Sequence, residues 1–211
     1  MKHNNLRLIF VRHGETVGNS SIRFYGKTDV PLNNEGIEQM TAVYKVLENE
    51  IFVSVFTSPL IRTIEGAYII LGNRNLNICK VENFREIDFG RWEGLTLKEI
   101  EELDPSMFCE WRKAFWKFDY PQGDRREDFI KRVKNGIDMV LNMVKEGTVL
   151  LVLHKGVIRT SIFYLLGKVD NYRGEDFFAE LGSIHEIHRI NGIWHLTREN
   201  YTEHLVPPSK Q

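Results

Sequence analysis

The sequence predicts an α/β protein, a three-layer α/β/α sandwich around a mostly parallel sheet, on three observations. Short apolar runs alternate with amphipathic helical stretches, and two of those runs end directly on a histidine. An Asn191-Gly192 dipeptide near the end joins two further runs as a hairpin. The first strand is Leu6–Val11, an apolar run of the kind buried on both faces of a parallel sheet. Asn33 or Asn34 can cap a helix running toward Asn49, with Ile37, Met40, Val43, Tyr44 and Leu47 on one stripe. Phe52–Phe56 is a second strand, Pro59 suits the first turn of the next helix, and Gly72 ends it. A third strand falls around Leu76–Val81. From about 84 to 128 the pattern is irregular and aromatic-rich, which predicts an insertion over the sheet. A long helix follows to about Lys145. Thr148–Leu153 is the clearest buried strand, leading into His154 and another helix, and strands at Ile184–Ile190 and Ile193–Thr197 close the fold.

Composition narrows the function classes. The chain has 211 residues, enough for one large domain carrying that insertion. Its 28 basic and 29 acidic side chains nearly cancel, which argues against a nucleic-acid or membrane-surface partner. An anionic ligand must then be held by a local cluster of cations. Cys79 and Cys109 form no disulfide framework, and no apolar run reaches the length of a membrane helix, so a cytoplasmic location is expected. The tail from Val206 to Gln211 reads as loose.

In open α/β sheets, ligands bind beyond the carboxyl ends of the strands where the strand order reverses. If the strands ending at Val11 and Leu153 are parallel neighbours, His13 and His154 share one crevice. The strand ending at Phe56 delivers Arg62 to the same edge, beside Arg12. Paired guanidinium forks suit a phosphoryl dianion, and a neutral imidazole is a competent nucleophile near neutral pH. Glu86 is the best-placed carboxylate to protonate a leaving alcohol, and an apolar setting would raise its pKa toward that task. Glu82, Asp88 and Glu93 compete for the role. His3, His185, His188, His195 and His204 read as structural or solvent-facing. His185 and His188 lie three apart on a strand and face opposite sides, which discounts a metal pair. Gly26-Lys27-Thr28 lacks the upstream glycine of a P-loop, since position 21 is Ser21. The aromatic cluster from Trp111 to Tyr120 reads first as packing for the insertion, and second as a ring-binding wall.

The motifs together resemble the histidine phosphatase superfamily, with its phosphoglycerate mutase-like fold. They are Arg12-His13-Gly14-Glu15-Thr16 with Asn19, Gly26–Leu32, Ser58–Thr63, Arg85–Gly94 and His154–Arg159. The Arg85–Gly94 block looks most like the α-ribazole phosphatase and broad-specificity branches. The resemblance implies His13 as the phosphorylated nucleophile and Glu86 as proton donor and acceptor. Arg12, Asn19, Arg62 and His154 would bind phosphoryl oxygens. Lys155 and Thr28 are candidates on the substrate side, and neither metal nor cofactor is expected. The implied partner is a small phosphorylated substrate such as α-ribazole 5′-phosphate, and a homodimer is compatible with the resemblance. Two departures concern the leaving group: Gln122-Gly123-Asp124-Arg125 stands where relatives often carry Gly-Gly-Glu-Ser, and Lys155 follows the second histidine. A cofactor-dependent phosphoglycerate mutase is the first alternative, disfavoured by the chain's compactness. A non-catalytic phospho-ligand-binding module is the second, disfavoured because a scaffold needs no such set of five residues.

Overall fold

The computed structural model describes residues 5–169 and 177–205. His3 and the tail 206–211 lie outside the described residues. Strand β1 (Leu6–Arg12) is followed by α1 (Asn34–Leu47), β2 (Phe52–Thr57), α2 (Ile61–Leu71) and β3 (Ile78–Lys80). Helices α3 (Leu97–Leu103), α4 (Pro105–Ala114) and α5 (Arg126–Met143) lead to β4 (Gly147–Leu153) and α6 (Lys155–Leu165). Strands β5 (Ile184–Ile190) and β6 (Ile193–Tyr201) complete one six-stranded sheet in the order β3-β2-β4-β1-β5-β6.

β3, β2, β4 and β1 run parallel, and β5 turns antiparallel against β1. Side chains alternate across the pleat, so one strand feeds two cores. Leu8 and Phe10 join Leu151 and Leu153 in a core with Val133 and Ile137 of α5 and Val157 and Ile162 of α6. Ile9 and Val11 join Leu150 and Val152 in a second core with Met40 and Val43 of α1 and Ala67 and Ile70 of α2. These two cores make the three layers.

Local chemistry explains the boundaries. The Asn33 side chain caps α1 by accepting from Gly36 N at 2.8 Å. Gly72 ends α2 at a φ of 55°, and the 191–192 turn takes positive φ at both residues. Pro59 lies just ahead of α2 instead of inside its first turn. Ile37 departs from the expected stripe of α1: it is 45% exposed, and Gly36 turns inward in its place. No helix among the described residues is long and apolar enough to cross a membrane.

The segment between β3 and α5 is organised around Trp92, which is fully buried. Phe118 stacks on it with ring centroids 5.1 Å apart, while Trp111 and Tyr120 meet it edge-on. Trp92 Nε1 donates to Asp104 Oδ2 at 2.7 Å, which satisfies its polar end in the core.

Candidate active site

The sheet order reverses between β4 and β1, and both strands end on the candidate histidines. Register pairs Arg12 with Leu153, and His13 N continues the ladder by donating to Leu153 O at 3.0 Å. The two rings are buried, edge to face, with centroids 5.2 Å apart. His13 Nδ1 lies 2.7 Å from Gly14 O. A carbonyl can only accept, so the ring proton is on Nδ1 and Nε2 keeps its lone pair. Burial, then the charges of Arg62 and Arg12, hold the His13 pKa well below its ordinary value. His154 is lowered as well, by burial first and then by Arg62. Close backbone packing supports the turn: a Cβ on Gly14 would lie 2.5 Å from Gly36 O.

Arg12 and Arg62 frame these rings. Arg62, the second residue of α2, is fully buried. It donates to Thr28 O and Gly26 O, each at 2.8 Å, and to Tyr25 O at 3.3 Å. Arg12 donates to Ala179 O at 2.7 Å. Burial lowers both guanidinium pKa values to about 10, against the opposing charge of Glu86, so both stay cationic at neutral pH. Nε of each arginine and both ring nitrogens of His154 are buried without a hydrogen-bond partner. Unpartnered buried donors converging on one crevice are the signature of an anion site.

Glu86 faces the same crevice, with Oε2 accepting from Gly156 N at 2.9 Å and Oε1 from Ile87 N at 3.0 Å. Its three competitors are committed elsewhere. Glu82 pairs with Arg85 at 2.7 Å, and Asp88 pairs with Lys27 at 2.9 Å. Glu93 accepts from the backbone of Gly26, Lys27, Thr28 and Phe89 and from the Thr28 hydroxyl at 2.6 Å. Glu93 therefore holds the loop whose carbonyls hold Arg62. Nothing in its local sequence signals that task, because its partners in that loop lie some 65 positions away.

The crevice opens into a cavity of about 810 Å³, lined at one end by Arg12, His13 and Glu86. Phe24, Phe89, Trp111, Phe115 and Tyr120 form an aromatic wall, so the cluster both packs the segment and faces the cavity. Lys155 lines it too. Desolvation, then the charges of Arg12 and Arg159, lower its pKa. Thr28 sits behind Arg62, with its hydroxyl bound to Glu93, and is not a wall residue. Asn19 is exposed at a φ of 60°, in a turn where Ile22 N and Arg23 N donate to its carbonyl; it is not on the wall either. The Gln122–Arg125 stretch is also off the wall, since the Asp124 carboxylate accepts from Asp88 N and from Arg132 at 3.0 Å. Sequence reasoning missed its neighbour Arg126, which is buried and does line the cavity.

Two histidines, two guanidiniums and a carboxylate around a strand-end crevice define a site suited to a phosphoryl dianion. Comparison with known proteins agrees: residues 8–202 match the model of the histidine phosphatase superfamily (branch 1), and the chain belongs to that family. Phosphoserine phosphatase 1 of Hydrogenobacter thermophilus is 30% identical over 200 residues, covering 95% of this chain and 94% of that protein. The adenosylcobalamin/α-ribazole phosphatase of Escherichia coli is 29% identical over 163 residues, 77% of this chain and 80% of its own length. Bacillus stearothermophilus YhfR, a solved structure, superposes with a TM-score of 0.87 at 28% identity, covering 95% of this chain and all of that one.

Proposed function

We propose that this enzyme is a phosphomonoesterase that hydrolyses a small phosphorylated metabolite through a phosphohistidine on His13. The observation that carries the proposal is the ring of unpartnered nitrogens from Arg12, Arg62 and His154 around a histidine whose Nε2 lone pair is free by tautomer. A phosphate ester bound there accepts hydrogen bonds from these groups. His13 Nε2 attacks phosphorus as the ester P–O bond breaks, and Glu86 in its acid form gives the departing alkoxide a proton. The alcohol leaves, and Glu86, now a carboxylate, takes a proton from water as that water attacks phosphorus. The P–N bond breaks, inorganic phosphate departs and His13 is restored. Arg12 and Arg62 supply in place the positive charge that the transferring oxygens require, so the scheme assigns no step to a metal.

The relatives support hydrolysis of phosphate esters and suggest phosphoserine and α-ribazole phosphate as first substrates to try. The unpaired thiols of Cys79 and Cys109 fit a reducing, cytoplasmic compartment. The test is p-nitrophenyl phosphate turnover in EDTA by the wild type and His13→Ala. The wild type should remain active and form an acid-labile phosphoenzyme, while the variant should fall to background. Turnover in the variant would remove His13 as nucleophile, and loss of wild-type activity in EDTA would overturn the metal-free scheme.

A further inference from the structure

We propose that the cavity holds a second anion site centred on Arg126, so that the preferred substrate carries a carboxylate or second phosphate besides the phosphoryl group transferred. Arg126 is the first residue of α5 and is 6% exposed. One of its terminal nitrogens donates to Phe115 O at 2.9 Å and to the Tyr120 hydroxyl at 3.3 Å. Its guanidinium lies 5.5 Å from the Tyr120 ring centroid and 5.9 Å from that of Phe129. Its Nε is buried with no partner, and among the described residues no carboxylate forms an ion pair with it. The nearby acids are engaged by its exposed neighbour: Arg125 is within 4.0 Å of Asp119, Glu127 and Asp128. A desolvated cation without a counter-charge is expensive to keep, and such a group marks where an anion binds.

Two further features point the same way. A small hollow of about 20 Å³ adjoins the cavity at Arg126, Trp116 and Arg159, and Trp116 Nε1 there is also buried without a partner. These are donor-only groups, so they call for an acceptor oxygen. The site also lies on a file of cations leading from the reacting end. Lys155 feels the charges of Arg12 and Arg159, and Arg159 sits one helical turn further along α6. The Arg159 guanidinium lies 5.1 Å from the Phe115 ring centroid, and the Phe115 carbonyl receives Arg126. Among the described residues the cavity lining carries one carboxylate, Glu86, which the reaction uses. A phosphate ester with a neutral body, such as an α-ribazole phosphate, leaves Arg126 unanswered.

The inference rests on the phosphohydrolase proposal, and paired substrates separate the two. Full-length enzyme would be assayed on phosphoserine against phosphoethanolamine, 3-phosphoglycerate against glycerol phosphate, and fructose 1,6-bisphosphate against fructose 6-phosphate. The charged member of at least one pair should have a kcat/KM about tenfold higher, carried mainly by KM. Preference within the first two pairs identifies a carboxylate, and within the third a phosphate. Arg126→Met keeps the packing against Tyr120, and should lower kcat/KM for the charged member about tenfold more than for its neutral partner. Arg126→Lys keeps the charge without the fork, and should fall between. Equal rates within every wild-type pair, or a preference that survives Arg126→Met, would overturn the second site. Calorimetric titration of His13→Ala with the same pairs reads binding without turnover. Tighter binding of the charged member supports the site even if hydrolysis proceeds by another route, whereas equal binding counts against it.

Discussion

At the residue scale, the site depends on atoms placed by backbone groups more than by other side chains. Glu86 is aimed by two peptide N–H groups, and one of them belongs to Gly156. A Cβ on Gly156 would lie 2.5 Å from Glu86 Oε1, so Gly156→Ala must displace the carboxylate. Its kcat should fall by about 10²-fold, the scale of a lost general acid, while its Tm stays close to wild type. Stopped-time assays beside thermal melts would check this, and full activity would remove Glu86 from the proton path. The depressed His13 pKa makes a second prediction. Protonation blocks Nε2, so the acid limb of kcat/KM set by the nucleophile should lie well below pH 6.5. A limb at or above 6.5 in a pH–rate profile would contradict the buried, arginine-flanked setting. Glu86 was singled out by the motif around it, whereas His13 and His154 were legible in the sequence because each follows an apolar run, and a strand end fixes where the next side chains sit. Glu93, Thr28 and Arg126 were not, because their partners are contributed by other segments. In the Gln122–Arg125 stretch the sequence draws attention to Arg125, yet it is the next guanidinium that turns inward.

At the element scale, strands were easier to read than the segment between β3 and α5. A two-faced apolar run has few alternatives, whereas aromatic residues in α4 serve a local core and a cavity wall at once. β5, one strand in from the sheet edge, shows how an element beside β1 can serve the centre. Its His185 is fully buried against Phe177, takes Asn200 N on Nδ1 at 3.2 Å, and so donates from Nε2 to Ser183 Oγ at 3.2 Å. The adjoining backbone meets Arg12, since Ser183 O accepts from Arg12 N at 3.1 Å and Gly182 N donates to Arg12 O at 3.2 Å. Desolvation lowers the His185 pKa from 6.5 to about 4. The unfolded chain therefore binds the proton first as pH falls. The stabilisation is complete above 6.5, is lost progressively between 6.5 and 4, and changes no further below 4, by about 3 kcal/mol in all. Urea unfolding across this range should show at least that loss, and His185→Phe should reduce the slope by the His185 share, leaving the part that buried His13 and His154 contribute. An unchanged slope in the variant would assign the acid sensitivity to other groups.

For the molecule as a whole, near-neutral net charge and a strongly cationic cavity imply that attraction of substrate is local. Opposite charges in the sequence sum to −1, so no long-range field steers an anion from a distance. Among the cations lining the cavity, Lys98 and Lys155 are exposed. Arg12 and Arg62 are held deeper, by carbonyls of the 25–28 loop and of Ala179. Salt screens these two sets unequally, because the Debye length falls from about 30 Å at 0.01 M to about 3 Å at 1 M, while buried charges are largely spared. Raising ionic strength should thus increase KM several-fold for a substrate with two anionic groups, and less for one with a single phosphate. Over the same range kcat should hold nearly constant, because the groups that act on the transferring phosphoryl lie out of reach of the added ions. Steady-state kinetics in sodium chloride, with KM and kcat resolved separately for a matched pair of substrates, make the comparison. A fall in kcat parallel to the rise in KM would mean that the Arg12–Arg62 cradle is itself open to solvent during the reaction. The separation of screened, exposed lysines from a protected cradle would then be wrong.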